Sequence, residues 1–306
     1  MTTTAEPAIV IQQLRKVYGN VQALKGISLS VAHGEIFGFL GPNGAGKTTA
    51  IRCMLDFLRP TAGTIRVLGL DAQGDSHALH QRVGYLPGDV RLQGDITGRQ
   101  IINYFARLQG REPVLLPELV ARFDIEMKRP IKNYSKGMRQ KIGIALAFMC
   151  DPDVLILDEP TSGLDPLLQR TFNDLLLEEQ ARGKTIFMSS HIMSDIERVC
   201  QRVAVIRQGE LVTVEKVETL REKAGQRVTV EFGDQVTEAE VAHLPGVSMI
   251  ECINGTYHFN TNGSMDPLIK ALSLHEVLRL HAEEAPLEEV FLKFYEEPAP
   301  ASAGTH

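Results

Sequence analysis

Four cysteines are all the chain contains, and Cys53, Cys150, Cys200 and Cys252 are too scattered to form a Cys-x-x-Cys pair. That excludes a disulfide framework and a zinc site, and it suits a reducing compartment. Long apolar runs are missing too. The longest, Ile144 to Cys150, makes one or two helical turns, well short of the ~18–20 residues that span a bilayer. The opening MTTTAEPA has neither the basic flank nor the apolar core of a signal peptide. A soluble cytoplasmic protein is expected, with any membrane role supplied by a partner. Basic charge is also short: 32 Lys and Arg stand against 38 Asp and Glu, a net −6, so no face for gripping nucleic acid is expected. What is there is 306 residues, 43% hydrophobic and 23% charged, which excludes wholesale disorder and allows two domains.

Short apolar runs alternate with helical patterns through the first part of the chain. Ile36–Leu40, Val154–Leu157, Ile186–Ser189 and Val203–Arg207 read as buried strands. Helices are expected from Lys47 to Leu58, over about 138–149, and over 166–181. That order implies an α/β domain with a largely parallel sheet. Ahead of it, Ile9–Leu14 and Ile27–Val31 suggest a small antiparallel sheet.

Polar REKAGQ, ending at Gln226, breaks the alternation and marks a domain boundary. Beyond it the expected order is a strand at Val228–Phe232, a helix at Thr237–Leu244, and a strand at Val247–Ile253. A hairpin turn at Asn254-Gly255 leads to a strand at Thr256–Asn260. Asp266 is expected to cap a helix with Pro267 in its first turn, reaching about Ser273. A strand at Glu276–His281 and a helix at Pro286–Tyr295 close the series. This βαββαβ order is ferredoxin-like. The expected organisation is therefore 8–222, 226–296, and a frayed tail at 297–306.

Gly41-Pro42-Asn43-Gly44-Ala45-Gly46-Lys47-Thr48 fits G-x-x-x-x-G-K-[ST] between an apolar strand and a helix, with Thr49 next. Its glycines let backbone N–H groups turn inward as an anion nest, and the helix N-terminus adds partial positive charge. Lys47 can reach the β- and γ-phosphates, and the Thr48 hydroxyl can ligate Mg²⁺. Asp158 ends a second apolar strand, where a carboxylate is aimed at Mg²⁺ through water, and Glu159 can accept a hydrogen bond from an attacking water. Two candidates carry less. His77 and His80 have no third ligand for a metal, and HAEEAPLEE at 281–289 reads as solvated surface before an acidic helix start.

Further segments stand in a telling order. Tyr134-Ser135-Lys136-Gly137-Met138-Arg139-Gln140 opens a helix, Ser162-Gly163-Leu164-Asp165 follows the acidic pair, and Ser189-Ser190-His191 ends the next strand. Together with the phosphate loop they resemble the ATP-binding cassette family of transporter ATPases over residues 8–222. The resemblance implies that Tyr18 stacks on adenine, and that Ser135, Lys136, Gly137 and Met138 form a signature loop acting on ATP held by another subunit. It further implies that Asp165 makes a dimer contact and that His191 touches the γ-phosphate. Lys136 and Met138 depart from the usual LSGGQ, replacing its first glycine and its glutamine. Where the family has a metal-ligating glutamine this chain has Gly88, with Asp89 as a substitute candidate.

The implied unit is a head-to-tail dimer, of two copies or of paired subunits, with ATP and Mg²⁺ at its interface. It would work with separate membrane permease subunits, docked near Gly88–Thr97, at the inner face of the cell membrane. The C-terminal segment ending Ala285-Pro286-Leu287-Glu288-Glu289-Val290-Phe291-Leu292 resembles one from a bacterial export branch moving drugs, lipids or polysaccharides. The rival expectation is a cassette ATPase that remodels ribosomes or nucleic-acid complexes, and the net charge argues against it.

Overall fold

The computed structural model describes residues 6–92, 94–233, 236–237, 247–253, 255–261, 264–288 and 291. Backbone contacts divide the chain into two units, 1–214 and 215–306.

The first unit holds two sheets. One runs β2 (Val21–Val31), β1 (Ile9–Tyr18), β4 (Ala62–Val67), β5 (Leu70–Asp71), with antiparallel neighbours throughout. It is larger than the two expected strands because Ala62 and Thr64 to Val67 pair back on β1. The other has six strands in the order β10 (Glu210–Lys216), β9 (Arg202–Arg207), β3 (Ile36–Leu40), β8 (Thr185–Ser190), β7 (Val154–Asp158), β6 (Val83–Leu86). β3 pairs in parallel with both β8 and β9, and β7 with both β8 and β6. Every residue of β3, β7 and β8 is buried, which is why their middles read as apolar runs, with the polar Asp158, Ser189 and Ser190 at the carboxyl ends.

Helix α1 (Lys47–Met54) packs where the two sheets meet. Ile51 and Met54 share one core with Ile9, Leu14 and Ile65 of the antiparallel sheet and Phe37, Phe39, Ile156 and Phe187 of the parallel one. α1 stops four residues before the expected end at Leu58. Asp56 takes φ 53°, a left-handed turn that a continuing helix cannot hold. Short α2 (Ser76–His80) precedes β6, and His80 contacts the Leu55 carbonyl at 2.8 Å.

Between β6 and β7 lie α3 (Gly98–Gln109), α4 (Leu116–Phe123), a 3₁₀ turn at Ile131–Asn133, and α5 (Lys136–Phe148). Thr97 and Gln100 form a reciprocal capping box at the start of α3. After β7 come α6 (Pro166–Ala181), β8, and α7 (Met193–Val199) leading into β9.

The second unit contains α8 (Val217–Ala224), β11 (Gln226–Phe232), β12 (Val247–Ile253), β13 (Thr256–Thr261), α9 (Asp266–Leu272) and β14 (Val277–Glu284). Its sheet order is β12-β13-β11-β14, antiparallel at each step. Val228, Val230, Tyr257, Phe259, Leu268 and Leu272 make its core. Asp266 is the first residue of α9 rather than its cap. Met265 occupies the cap position, and the Asp266 carboxylate reaches one turn along to Lys270 at 2.7 Å. The last strand runs to Glu284, past the expected end at His281, because Gln226 to Val228 of β11 supply partners that far. Residues 238–244 of the expected helix, Asn254 of the turn, most of 289–295 and the tail 297–306 lie outside the described residues.

Candidate functional site

Strand adjacency builds the site. β3, β8 and β7 are side by side and parallel, so their carboxyl ends lie together, and each hands over a chemical group. Ligand-binding groups in open parallel sheets gather at that end of the strands.

β3 leads into the phosphate loop. Gly46 takes φ 111°, and a side chain there would come within 2.8 Å of the Ala23 carbonyl, so both the turn and the close approach require glycine. The loop closes on α1, whose first residue is Lys47. The Lys47 side chain is 5% exposed, and its ammonium donates to the carbonyls of Gly41 at 2.6 Å and Pro42 at 3.2 Å. Thr48 donates to Asp158 Oδ2 at 2.8 Å.

β7 delivers Asp158 and Glu159. Asp158 is 3% exposed and accepts hydrogen bonds on both oxygens, Oδ2 from Thr48 and Oδ1 from Ser189 at 2.6 Å. Glu159 breaks out of the strand at φ 47°, an uncommon conformation for a residue with a Cβ. Its amide holds that turn by donating to the Ser189 carbonyl at 3.2 Å and to Ser189 Oγ at 3.1 Å. The kink separates the two carboxylates. Asp158 stays with Thr48, while Glu159 faces Lys47 Nζ at 3.3 Å and His191 Nδ1 at 2.9 Å. Beside them, burial first and the negative charge of Asp158 second push the Tyr85 hydroxyl up to about 12.

β8 contributes Ser189, Ser190 and then His191. Thr161 donates to Asp195 Oδ2 on α7 at 2.7 Å, pinning one side of the turn after Glu159. Gln140, 2% exposed on α5, pins the other by donating to the Pro160 carbonyl at 2.8 Å. Sequence reasoning assigned no role to Ser189, Thr161, Asp195 or Gln140. Ser189 alone carried a signal, a polar residue at the end of an apolar strand next to a motif.

The remaining candidates have definite places. Ser135 caps α5, its hydroxyl accepting from the Met138 amide at 3.2 Å. Asp165 caps α6, accepting from the amides of Leu167 and Leu168. Tyr18 ends β1 with its ring 45% exposed and Lys16 Nζ 5.2 Å from the centroid. Gly88 lies against the acidic strand, and a Cβ there would stand 3.1 Å from the Asp158 carbonyl. Asp89 turns outward and pairs with Arg91 at 2.7 Å. Lys47, Thr48, Asp158, Glu159 and His191 therefore meet at one point, and Asp89 does not join them.

Thr48 Oγ1 and Asp158 Oδ2 are two hard oxygen donors in contact, a set that fits Mg²⁺. Among the described residues no helix is long and apolar enough to cross a membrane.

The family model described as ABC transporter matches residues 24–162. An uncharacterized ABC transporter ATP-binding protein of a Nostoc species is 42% identical over 228 residues, covering 69% of this chain and 68% of that protein. Nod factor export ATP-binding protein I of Ralstonia nicotianae is 34% identical over 302 residues, covering 94% of this chain and 93% of that protein. Among solved structures, an ATP-binding subunit of an ABC transporter superposes with a TM-score of 0.66 at 26% identity, covering 71% of this chain and 92% of that one.

Proposed function

The chain belongs to the ABC transporter family as an ATP-binding, ATP-hydrolysing subunit, and from that premise we propose that two copies clamp ATP between them to drive export through separate membrane subunits. The observation that carries this is the convergence of Lys47, Glu159 and the Thr48–Asp158 pair at the carboxyl ends of β3 and β7. The export direction is supported by the similarity to a Nod factor export protein along nearly its whole length. The permease partner would hold the subunit at the cytoplasmic face of the membrane.

The geometry supports the following roles. The loop amides and Lys47 bind the phosphates, and the exposed Tyr18 ring offers adenine a stacking face. The Glu159 carboxylate takes a proton from the attacking water, and His191 Nδ1 on its second oxygen orients it. Thr48 and Asp158 would hold Mg²⁺, which supplies positive charge against the phosphates. Ser135 and Gly137, at the start of α5, serve the ATP of the second copy, and Asp165 lies in the loop that faces it. Residues 8–222 form the nucleotide-binding domain in this reading, a bound that runs past the contact division after Val214 into α8. Residues 226–296 form a ferredoxin-like accessory module, supported by the β12-β13-β11-β14 order, which is the arrangement a βαββαβ chain adopts.

A mixture of two inactive variants tests the shared site. Lys47→Ala disables the phosphate loop and Ser135→Ala the loop that serves the partner. Mixed dimers then contain one site in which both halves are intact. Recovery of ATP hydrolysis on mixing is the expected result, and a mixture as inactive as its parents overturns the shared-site reading.

A further inference from the structure

Lys136 is the first residue of α5, where the helix dipole disfavours a cation. Among the described residues no carboxylate lies within ion-pair distance to compensate it. Its ammonium donates instead to Ser162 Oγ at 3.3 Å. Its stem lies over Gly163, where a Cβ would come 2.9 Å from Lys136 Cε, and Gly163 takes φ 80°. One helical turn on, Gln140 reaches the Pro160 carbonyl. Positions 136 and 140 share a helix face, so α5 grips the segment after Glu159 at two points. The Ser162 amide donates back to the Glu159 carbonyl at 3.1 Å, closing a short path from Lys136 to Glu159.

We infer that Lys136 is a positioning residue: it braces the Ser162–Gly163 turn, and through it Glu159, from the helix whose first residues serve the second copy's nucleotide. This rests on the shared-site reading for what α5 meets, while the brace itself lies within one chain. A glycine at position 136, as in the usual family signature, has no side chain to reach Ser162. The lysine at this position thus gives Ser162 a contact that a glycine could not make. The consequence is that the hydrolytic geometry of one site depends on how α5 of the same chain is seated at the other.

The test is a double-mutant cycle in the full-length protein, with kcat and KM for ATP and a thermal midpoint measured for each variant. Lys136→Ala and Ser162→Ala are each expected to lower kcat about fivefold, the worth of one ordinary hydrogen bond, since exposure to water weakens the charged one. KM should change less than twofold. The double variant should be no slower than the slower single, and Lys136→Arg should keep at least half the kcat. A double variant about 25-fold slower, or singles with unchanged kcat, overturns the brace. So does a rise in KM at constant kcat, which would mean that Lys136 binds phosphate directly. If Lys136→Ala alone lowers the thermal midpoint, the Ser162→Ala and Lys136→Arg comparisons decide whether the brace stands. Failure of the shared-site reading would appear in the mixing experiment and leave this cycle intact.

Discussion

The hydroxyl of Ser189 accepts the Glu159 amide at 3.1 Å and donates to Asp158 Oδ1 at 2.6 Å. One fully buried side chain on the central strand β8 therefore fixes both acids of β7. A hydroxyl suits this post because it donates and accepts at once.

Ser189→Ala removes both contacts while leaving the strand intact. Asp158 Oδ1 then loses its donor in a site that water barely reaches, which costs about 1–3 kcal/mol. Urea denaturation of the variant should show a lower midpoint with an unchanged slope, together with slower ATP turnover. An unmoved midpoint would show that another group satisfies Asp158.

Glu159→Gln keeps the shape of the side chain and one acceptor oxygen, enough for Lys47 or His191 but not both, and removes the base. ATP binding is expected to survive, and turnover should fall ~10²–10⁴-fold, the usual contribution of a positioned general base. Equilibrium nucleotide binding and single-turnover hydrolysis, measured side by side, separate the two effects. Near-normal turnover would falsify the assignment of Glu159 as the base.

Tyr85 makes stability depend on alkaline pH. Its hydroxyl ionises near 10.0 when solvated and at about 12 in the folded chain, because burial and the charge of Asp158 oppose a second anion. The unfolded chain thus releases this proton first as pH rises. Its contribution is complete below about pH 10 and lost as pH climbs towards about 12. Tyr85→Phe should therefore lose less stability than the parent between about pH 9 and about pH 11.5, measured by urea unfolding. Parallel curves for the two proteins would remove Tyr85 as the cause.

The phosphate loop, Asp158 and Glu159 were legible because backbone geometry dictates their residue types and spacing. The buried strands were legible because burial on both faces demands unbroken apolar runs. Other features were written in weaker signals. α3 begins at a Thr97–Gln100 capping box that propensity alone does not single out. α1 ended early through a left-handed Asp56, a tertiary choice with no local signature. Ser189, Gln140 and Thr161 became visible only once β7, β8, α5 and α7 were adjacent, since each binds a residue at least 20 positions away. Asp89 shows the opposite failure: the sequence offered a carboxylate where one was wanted, and Arg91, two residues on, took it.

The parallel strands meet chemistry at one rim only. At the opposite rim, the turns entering β3, β7 and β8 are tied by contacts such as Gly34 to Thr185 and Arg82 to Asp153, none of which reaches Lys47 or Glu159. The first unit's parallel sheet thus divides its labour: one rim places the reacting groups, and the other only ties strands together. Substitutions confined to that edge are therefore expected to lower stability before they touch ATP turnover.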